Sequence, residues 1–347
     1  ERNNGGGAYE RARLSYFGRL GYNFKEKYLA EFLWRYDGSY MFAPDQRWGF
    51  FPSISAGWRI SEEDFFRNNV SFIDNLKLRA SYGRMGTDQV YYNDVLQEFH
   101  YMSTYGFDRS YIIDDQVMKA IYERRVPNPG FTWEVANNMD IGLEGSLLNN
   151  KLSFEVDYFV NKREKILIQR LGSTPGSSGI RSLLPPVNEG KIENRGFDFR
   201  VGYNGSIGDL TYSVSVNGGY AKNKIVFWDE GNVPEWQRST GKPFGTNGAA
   251  FLAYQYDGVF VDQKDIDANA IDYSGAGGTN LRPGDMKLKD INDDKVINGD
   301  DMVRLDKTRD PRFTGGFSIN LQYKNFDLSL LFQGATGGLL FIGTESG

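Results

Sequence analysis

KLSFEVDYFVN, residues 151–161, sets Leu152, Phe154, Val156, Tyr158 and Val160 against Ser153, Glu155, Asp157, Phe159 and Asn161. Side chains alternate across a strand, so one face is apolar throughout and the other mostly polar. The same pattern fills residues 76–83, 197–204, 211–217 and 326–333, and also 14–24 and 27–37. Strands of a soluble sandwich also point apolar residues inward. Those strands usually run about five or six residues. The segments here run about ten or more, the length a tilted strand needs to cross a hydrocarbon layer. Aromatic residues gather near segment ends, as interfacial girdles require: Tyr22, Phe24, Tyr28, Trp34, Tyr36, Phe50, Phe51, Trp58, Tyr323 and Phe326. The reading is all-β, a transmembrane antiparallel β-barrel.

Connections support it. Barrels of the outer membrane carry short turns at one end and long loops at the other. Short turns are expected at Lys25-Glu26, Asn149-Asn150, residues 205–209 and Lys324-Asn325. Residues 61–75 fall on the same end and have room for a small helix. Long external excursions occupy 87–138, 162–191 and 222–311, with a shorter one at 38–49. The whole of 1–347 reads as a single partial barrel domain of about ten wall strands. Parity then requires residues 251–261, which look like a strand, to lie inside the third excursion. An open sheet edge in lipid would leave backbone groups unpaired, so further strands are expected from a longer polypeptide. The polar start at residues 1–7 and the end at Gly347 both read as cut ends.

Composition excludes several functions. With 15% aromatics and 41 glycines among 347 residues, the chain suits strands and tight turns and is unlike a disordered one. It has no cysteine, which removes disulfides, zinc-thiolate sites and cysteine nucleophiles. Its one histidine, His100, sits in a tyrosine-rich segment and reads as a loop residue. No nucleophile–base motif appears, and no pair of carboxylates has a motif for glycoside hydrolysis, so an enzyme is not expected. The net charge of −5 leaves no basic footprint for nucleic acid. A mean hydropathy of −0.51 looks soluble, but a barrel needs apolar residues only at alternate positions.

Several blocks together resemble one family. GRLGYNFKEKYLAEFLWRYDGSYMF (18–42) has a strand, a charged turn and a strand ending Arg-x-Asp-Gly-Ser. FFPSISAGWRISEEDFF (50–66) carries Pro-Ser-x-x-x-Gly-Trp-x-x-x-x-Glu, and LKLRASYGRMGTDQV (76–90) follows it. Residues 133–167, 194–204 and 283–337 continue the series. In this order they are similar to SusC/RagA-like, TonB-dependent outer-membrane transporters. The resemblance implies a roughly 22-stranded barrel, with a plug that is not within these residues. It implies energising by TonB and a SusD-like surface lipoprotein acting as a lid. It also implies import of an oligosaccharide or peptide, with outer-membrane lipid around the wall. A passive porin is the rival transporter, and a soluble β-sandwich binding module the rival outside transport.

One constellation suggests a metal. Asp290, Asn292, Asp294, Val296, Asn298 and Asp301 occupy positions 1, 3, 5, 7, 9 and 12 of a twelve-residue loop, Val296 through its carbonyl. Calcium takes six to eight such oxygens. Lys295 stands where glycine normally makes the sharp turn, and position 12 is the shorter Asp rather than Glu. The other reading is a polar loop in which Asp and Asn simply favour turns. Tyr91, Tyr92, Tyr101, Tyr105, Tyr111, Trp228 and Trp236 offer rings for stacking on sugar or gripping peptide, or for loop packing. Glu144, Glu155, Asp157, Asp198 and Arg200 are candidates to line the lumen.

Overall fold

The computed structural model describes residues 10–342, apart from positions 93, 94, 97, 182, 247 and 279. Both expected cut ends lie outside the described residues. Ten strands pair in chain order as one antiparallel sheet. They are β1 (Arg13–Phe24), β2 (Tyr28–Ser39), β3 (Trp48–Arg59), β4 (Ile73–Thr87) and β5 (Glu134–Leu147). Then come β6 (Leu152–Ile168), β7 (Val187–Ile207), β8 (Leu210–Phe227), β9 (Phe313–Tyr323) and β10 (Phe326–Thr336).

Directly paired residues share a face, so register decides whether the apolar faces join. They do. One row runs Phe24, Tyr28, Trp58, Leu78, Leu143, Val156 and Phe199 from β1 to β7. Another runs Leu147, Leu152, Tyr203, Val214, Ile319 and Leu330 from β5 to β10. Among the described residues nothing covers this face: Leu20 is 68% exposed, Ile54 57%, Phe332 59% and Phe326 79%. A sandwich would bury it against a second sheet. Leaving each such side chain in water forgoes about 1.5–3 kcal/mol. The face is therefore built for lipid, and the sandwich reading falls.

Aromatic rings mark both borders of that face. Phe24 stacks on Tyr28 at the short-turn end, and Tyr36 stacks on Trp48 at 4.8 Å at the other. Tyr28 and Tyr36 stand about 26 Å apart along β2 at the usual rise. A tilt of about 40° lowers that to roughly 20 Å, near the ~25 Å of an apolar band. Trp34 lies across Gly18 of β1, where a Cβ would come 2.6 Å from its indole nitrogen.

The turns at the short end adopt left-handed backbone, at Lys25 and Glu26 (φ 52° and 55°), Leu148 to Asn150 and Lys324. Such primed turns match the twist of the flanking strands. Between β3 and β4 a 3-10 turn, Ile60–Glu62, leads into a short helix, Asp64–Arg67. Glu63 ties this corner: it accepts from Tyr28 Oη at 2.6 Å, Trp58 Nε1 at 3.0 Å and Lys27 Nζ at 3.2 Å. These bonds, led by that from Tyr28, hold its carboxyl below the usual range. They explain the five-residue Trp-to-Glu spacing of the second block.

Three expectations need correction. The strands outrun the alternation, so the long connections shrink to 88–133, 169–186 and 228–312. Lys162, Arg163, Glu164, Lys191 and Glu193 are paired strand residues. They are polar on both faces because wall standing above the lipid is wet on both sides. The turn expected at 205–209 is only Gly208-Asp209, with Gly208 at φ 58°. Phe51 is no girdle residue; it is 5% exposed in a loop-side core with Met41, Phe42, Val90, Phe131, Trp133 and Leu167.

Residues 251–261 stay out of the wall, as parity required. Leu252–Ala253 pairs with Val303–Arg304, and Tyr256–Val259 with Met286–Leu288, inside the third excursion. Among the described residues no helix is long and apolar enough to cross a membrane.

Candidate functional site

The polar face, which a barrel turns to its lumen, carries a ladder of charge. One register row reads Lys77, Glu144, Glu155 and Arg200; the next reads Arg79, Gly142, Asp157 and Asp198. Glu144 opposes Glu155 directly, and like charges across a pair are destabilising. Lys77 answers Glu144 at 2.9 Å. Arg79 reaches over β5 to Glu155 and Asp157, both at 2.6 Å. Gly142 makes this crossing possible, since a Cβ there would stand 2.6 Å from Arg79 Nε. A hollow of 540 Å³ opens beside it, with Glu31, Ser55, Ser81 and Asp140 in its lining. The expected luminal residues are thus brought together; Lys77 and Arg79, which neutralise them, were the members missed. They were legible as the polar half of residues 76–83.

The signature residues of the first block turn out to be structural. Arg35 grips Asp37 at 2.9 Å, and Ser39 Oγ donates to Asp88 Oδ2 at 2.7 Å. Arg13 completes that knot through its ion pair to Asp88 at 2.6 Å. The first and third blocks therefore meet at the loop end of the wall.

The aspartate loop hangs on a small core of Phe260, Tyr273 and Ile297. Lys295 does supply the sharp turn, at φ 66°. Its amide donates to Asp290 Oδ2 at 2.8 Å, while Asp290 Oδ1 is buried without a partner. Asn292 and Asp294 bond to each other at 2.9 Å, and Val296 N donates to Asp294 Oδ1 at 2.8 Å. Asn298 caps the turn Gly299–Asp301. Asp301 is fully buried and accepts from the amides of Ile291 and Asn298, both at 2.9 Å. Among the described residues no three carboxylate or imidazole groups converge as a metal site. The oxygens are of calcium type, yet as they stand they close the loop on itself.

The rings are divided. Trp228 packs on Phe244 at 5.7 Å, and Trp236 donates to the carbonyl of Asp300 at 2.8 Å, clasping the aspartate loop. Tyr91, Tyr105 and Tyr111 are exposed, and the side chain of Tyr92 lies outside the described residues.

One cavity was not foreseen. Between the connections 88–133 and 169–186 lies a space of 760 Å³ lined by His100, Arg124, Arg125 and Arg181 among others. His100 is 6% exposed and its ring lies 5.5 Å from Phe131. Burial, then the charge of Arg125, push its imidazole down to about 4. The only readable hint was the run Glu123-Arg124-Arg125. Arg181 is far off in sequence and nothing local points to it.

The ten-strand wall, apolar outside and charged within, defines a membrane β-barrel. The family described as TonB dependent receptor-like, beta-barrel, matches residues 2–338, and the chain belongs to it. It is 32% identical over 340 residues to TonB-dependent receptor P26 of Formosa agariphila, covering 94% of this chain and 32% of that protein. It is 26% identical to TonB-dependent receptor SusC of Bacteroides thetaiotaomicron, covering 94% of this chain and 31% of that one. The chain thus spans about a third of the length of these relatives. In fold it is similar to a chain of the RagAB peptide importer in its open-open state, with TM-score 0.72 and 23% identity over 94% of this chain and 33% of the other.

The buried neutral His100 has a pH consequence. An unfolded chain takes up its proton near pH 6.5, the folded one only near 4. The lowered value means stability is complete above about pH 6.5 and drains away as pH falls toward 4. Hydrogen exchange at the amides of Asn128 and Phe131, corrected for intrinsic rate, should show more opening at pH 5 than at pH 7. The His100→Gln variant should lose that difference. An unchanged opening free energy in the native protein between those pH values would contradict it.

Proposed function

We propose that the chain forms wall and surface loops of an outer-membrane, TonB-dependent importer of the SusC kind. The carrying observation is the two-faced wall: a lipid-ready exterior, a charged interior face and long connections confined to one end. The plug and the TonB contact that the resemblance implies would lie outside residues 1–347. A SusD-like lipoprotein would meet the long-loop end, and the cargo would be a peptide or oligosaccharide. That the relatives are named TonB-dependent receptors, SusC among them, supports this reading over a passive porin.

For the aspartate loop we propose a structural calcium ion. The buried unpartnered oxygen of Asp290 and the ready-made turn at Lys295 support it. Asp290, Asn292, Asp294, Asn298 and Asp301 would supply side-chain oxygens and Val296 its carbonyl, each oxygen keeping a lone pair beyond its present bond. The ion would have to draw the loop inward.

Uptake of labelled peptides and oligosaccharides should fall when the gene for the full-length protein is deleted, and should stop in intact cells when the protonmotive force is collapsed. Uptake that survives the uncoupler would instead mark a passive pore. In the purified full-length protein, calcium but not magnesium should slow exchange across residues 290–301. Identical exchange with and without calcium would remove the ion.

A further inference from the structure

The cavity between the connections 88–133 and 169–186 holds three arginines, and among its described lining residues there is no carboxylate. Arg124 is neutralised by Asp108 at 3.0 Å. Arg125 and Arg181 are not neutralised within the described residues. Arg125 donates to the carbonyls of Phe99 at 2.9 Å and Met102 at 3.4 Å, and Arg181 to that of Leu171. The Nε atom of each is buried with no partner. So is Nδ1 of His100, a side chain almost wholly out of solvent. The charges of Arg125 and Arg181 have no carboxylate to answer them, and an oxyanion bound in the cavity would do so through charge-assisted bonds.

The rest of the lining narrows the ligand. Among the described residues it includes Leu171, Leu183, Leu184 and Pro186, and no Phe, Tyr or Trp. Sugar rings bind by laying their C–H faces on flat aromatic rings, and none is offered here. Aliphatic walls around cations suit an aliphatic side chain beside a carboxylate.

We propose that this cavity takes the C-terminal carboxylate of a peptide with an aliphatic last residue. The cavity is then a recognition site in the surface loops, and its role with cargo rests on the importer reading above. The carboxylate meets Arg125 and Arg181, with His100 Nδ1 beside them. The last side chain lies on Leu171, Leu183 and Pro186.

The test uses the full-length protein with its lipoprotein partner in detergent, and the pentapeptide Ala-Ala-Ala-Ala-Leu as free acid and as C-terminal amide. By calorimetry the acid should bind at least about tenfold tighter than the amide, and the gap should narrow as salt rises. Arg181→Gln should erase the gap. Because Arg181 also holds the Leu171 carbonyl, Arg181→Lys serves as a second variant that keeps the charge; it should retain part of the gap. A merely structural arginine would weaken acid and amide alike, and that result overturns the proposal. Equal binding of acid and amide by the native protein overturns it too, as does displacement of the peptide by a short uronate oligosaccharide at lower concentration. Uptake that persists while acid and amide bind equally would sink the pocket alone. Discrimination that persists while uptake fails would sink the importer reading alone.

Discussion

In a hydrocarbon layer every backbone N–H and C=O must find its partner within the protein, and the rest of this structure follows from that demand. It forces a ladder that runs unbroken from β1 to β10. It also forces register, because a slip by one residue would turn every apolar side chain inward and every charge toward lipid. A lone arginine or lysine on the lipid face would cost about 2–4 kcal/mol at the midplane. The charges Lys77, Arg79, Glu144, Glu155, Asp157, Asp198 and Arg200 of β4 to β7 therefore share one face, and once there they must neutralise one another. Arg79 answers carboxylates on two neighbouring strands in this way, Glu144 of β5 and Glu155 and Asp157 of β6, and Gly142 is small so that it can. Among the described residues β1 and β10 each carry one neighbour, so the same demand asks for further strands beside both.

What lipid constrains was legible; what water surrounds was less so. Residues 152–160 announced both their strand and its faces, since a bilayer tolerates little else. Parity even placed residues 251–261 outside the wall against their own appearance. The upper ends of β6, β7 and β8 were missed because their alternation stops where lipid stops, although the backbone ladder continues. Phe51 was misplaced for a related reason. It belongs to a core made by Met41, Phe42, Phe131 and Trp133, whose meeting depends on loops folding back over the wall.

Candidate sites divide along the same line. The luminal carboxylates were visible because the strand period exposes them. The left-handed turn at Lys295 and the double role of Asp301 depend on a local fold that sequence spacing only outlines. The arginine cavity joins Arg125 to Arg181 across two connections, a juxtaposition set by the wall beneath them. The proposed recognition site thus sits in the segments freest of the membrane's constraint.

The central claim is the two-sidedness of the wall. This chain has no cysteine, so single cysteines can be set along β6 of the full-length protein, any cysteine outside residues 1–347 being replaced, then spin-labelled and studied in bilayers. Collision with oxygen, which concentrates in lipid, should be high at positions 154, 156 and 158. Collision with a water-soluble nickel complex should be high at 153, 155 and 157. A period of two with opposite phase is the predicted result. Equal access to the nickel complex at all six positions would mean that no lipid touches this face, and the barrel account would fail.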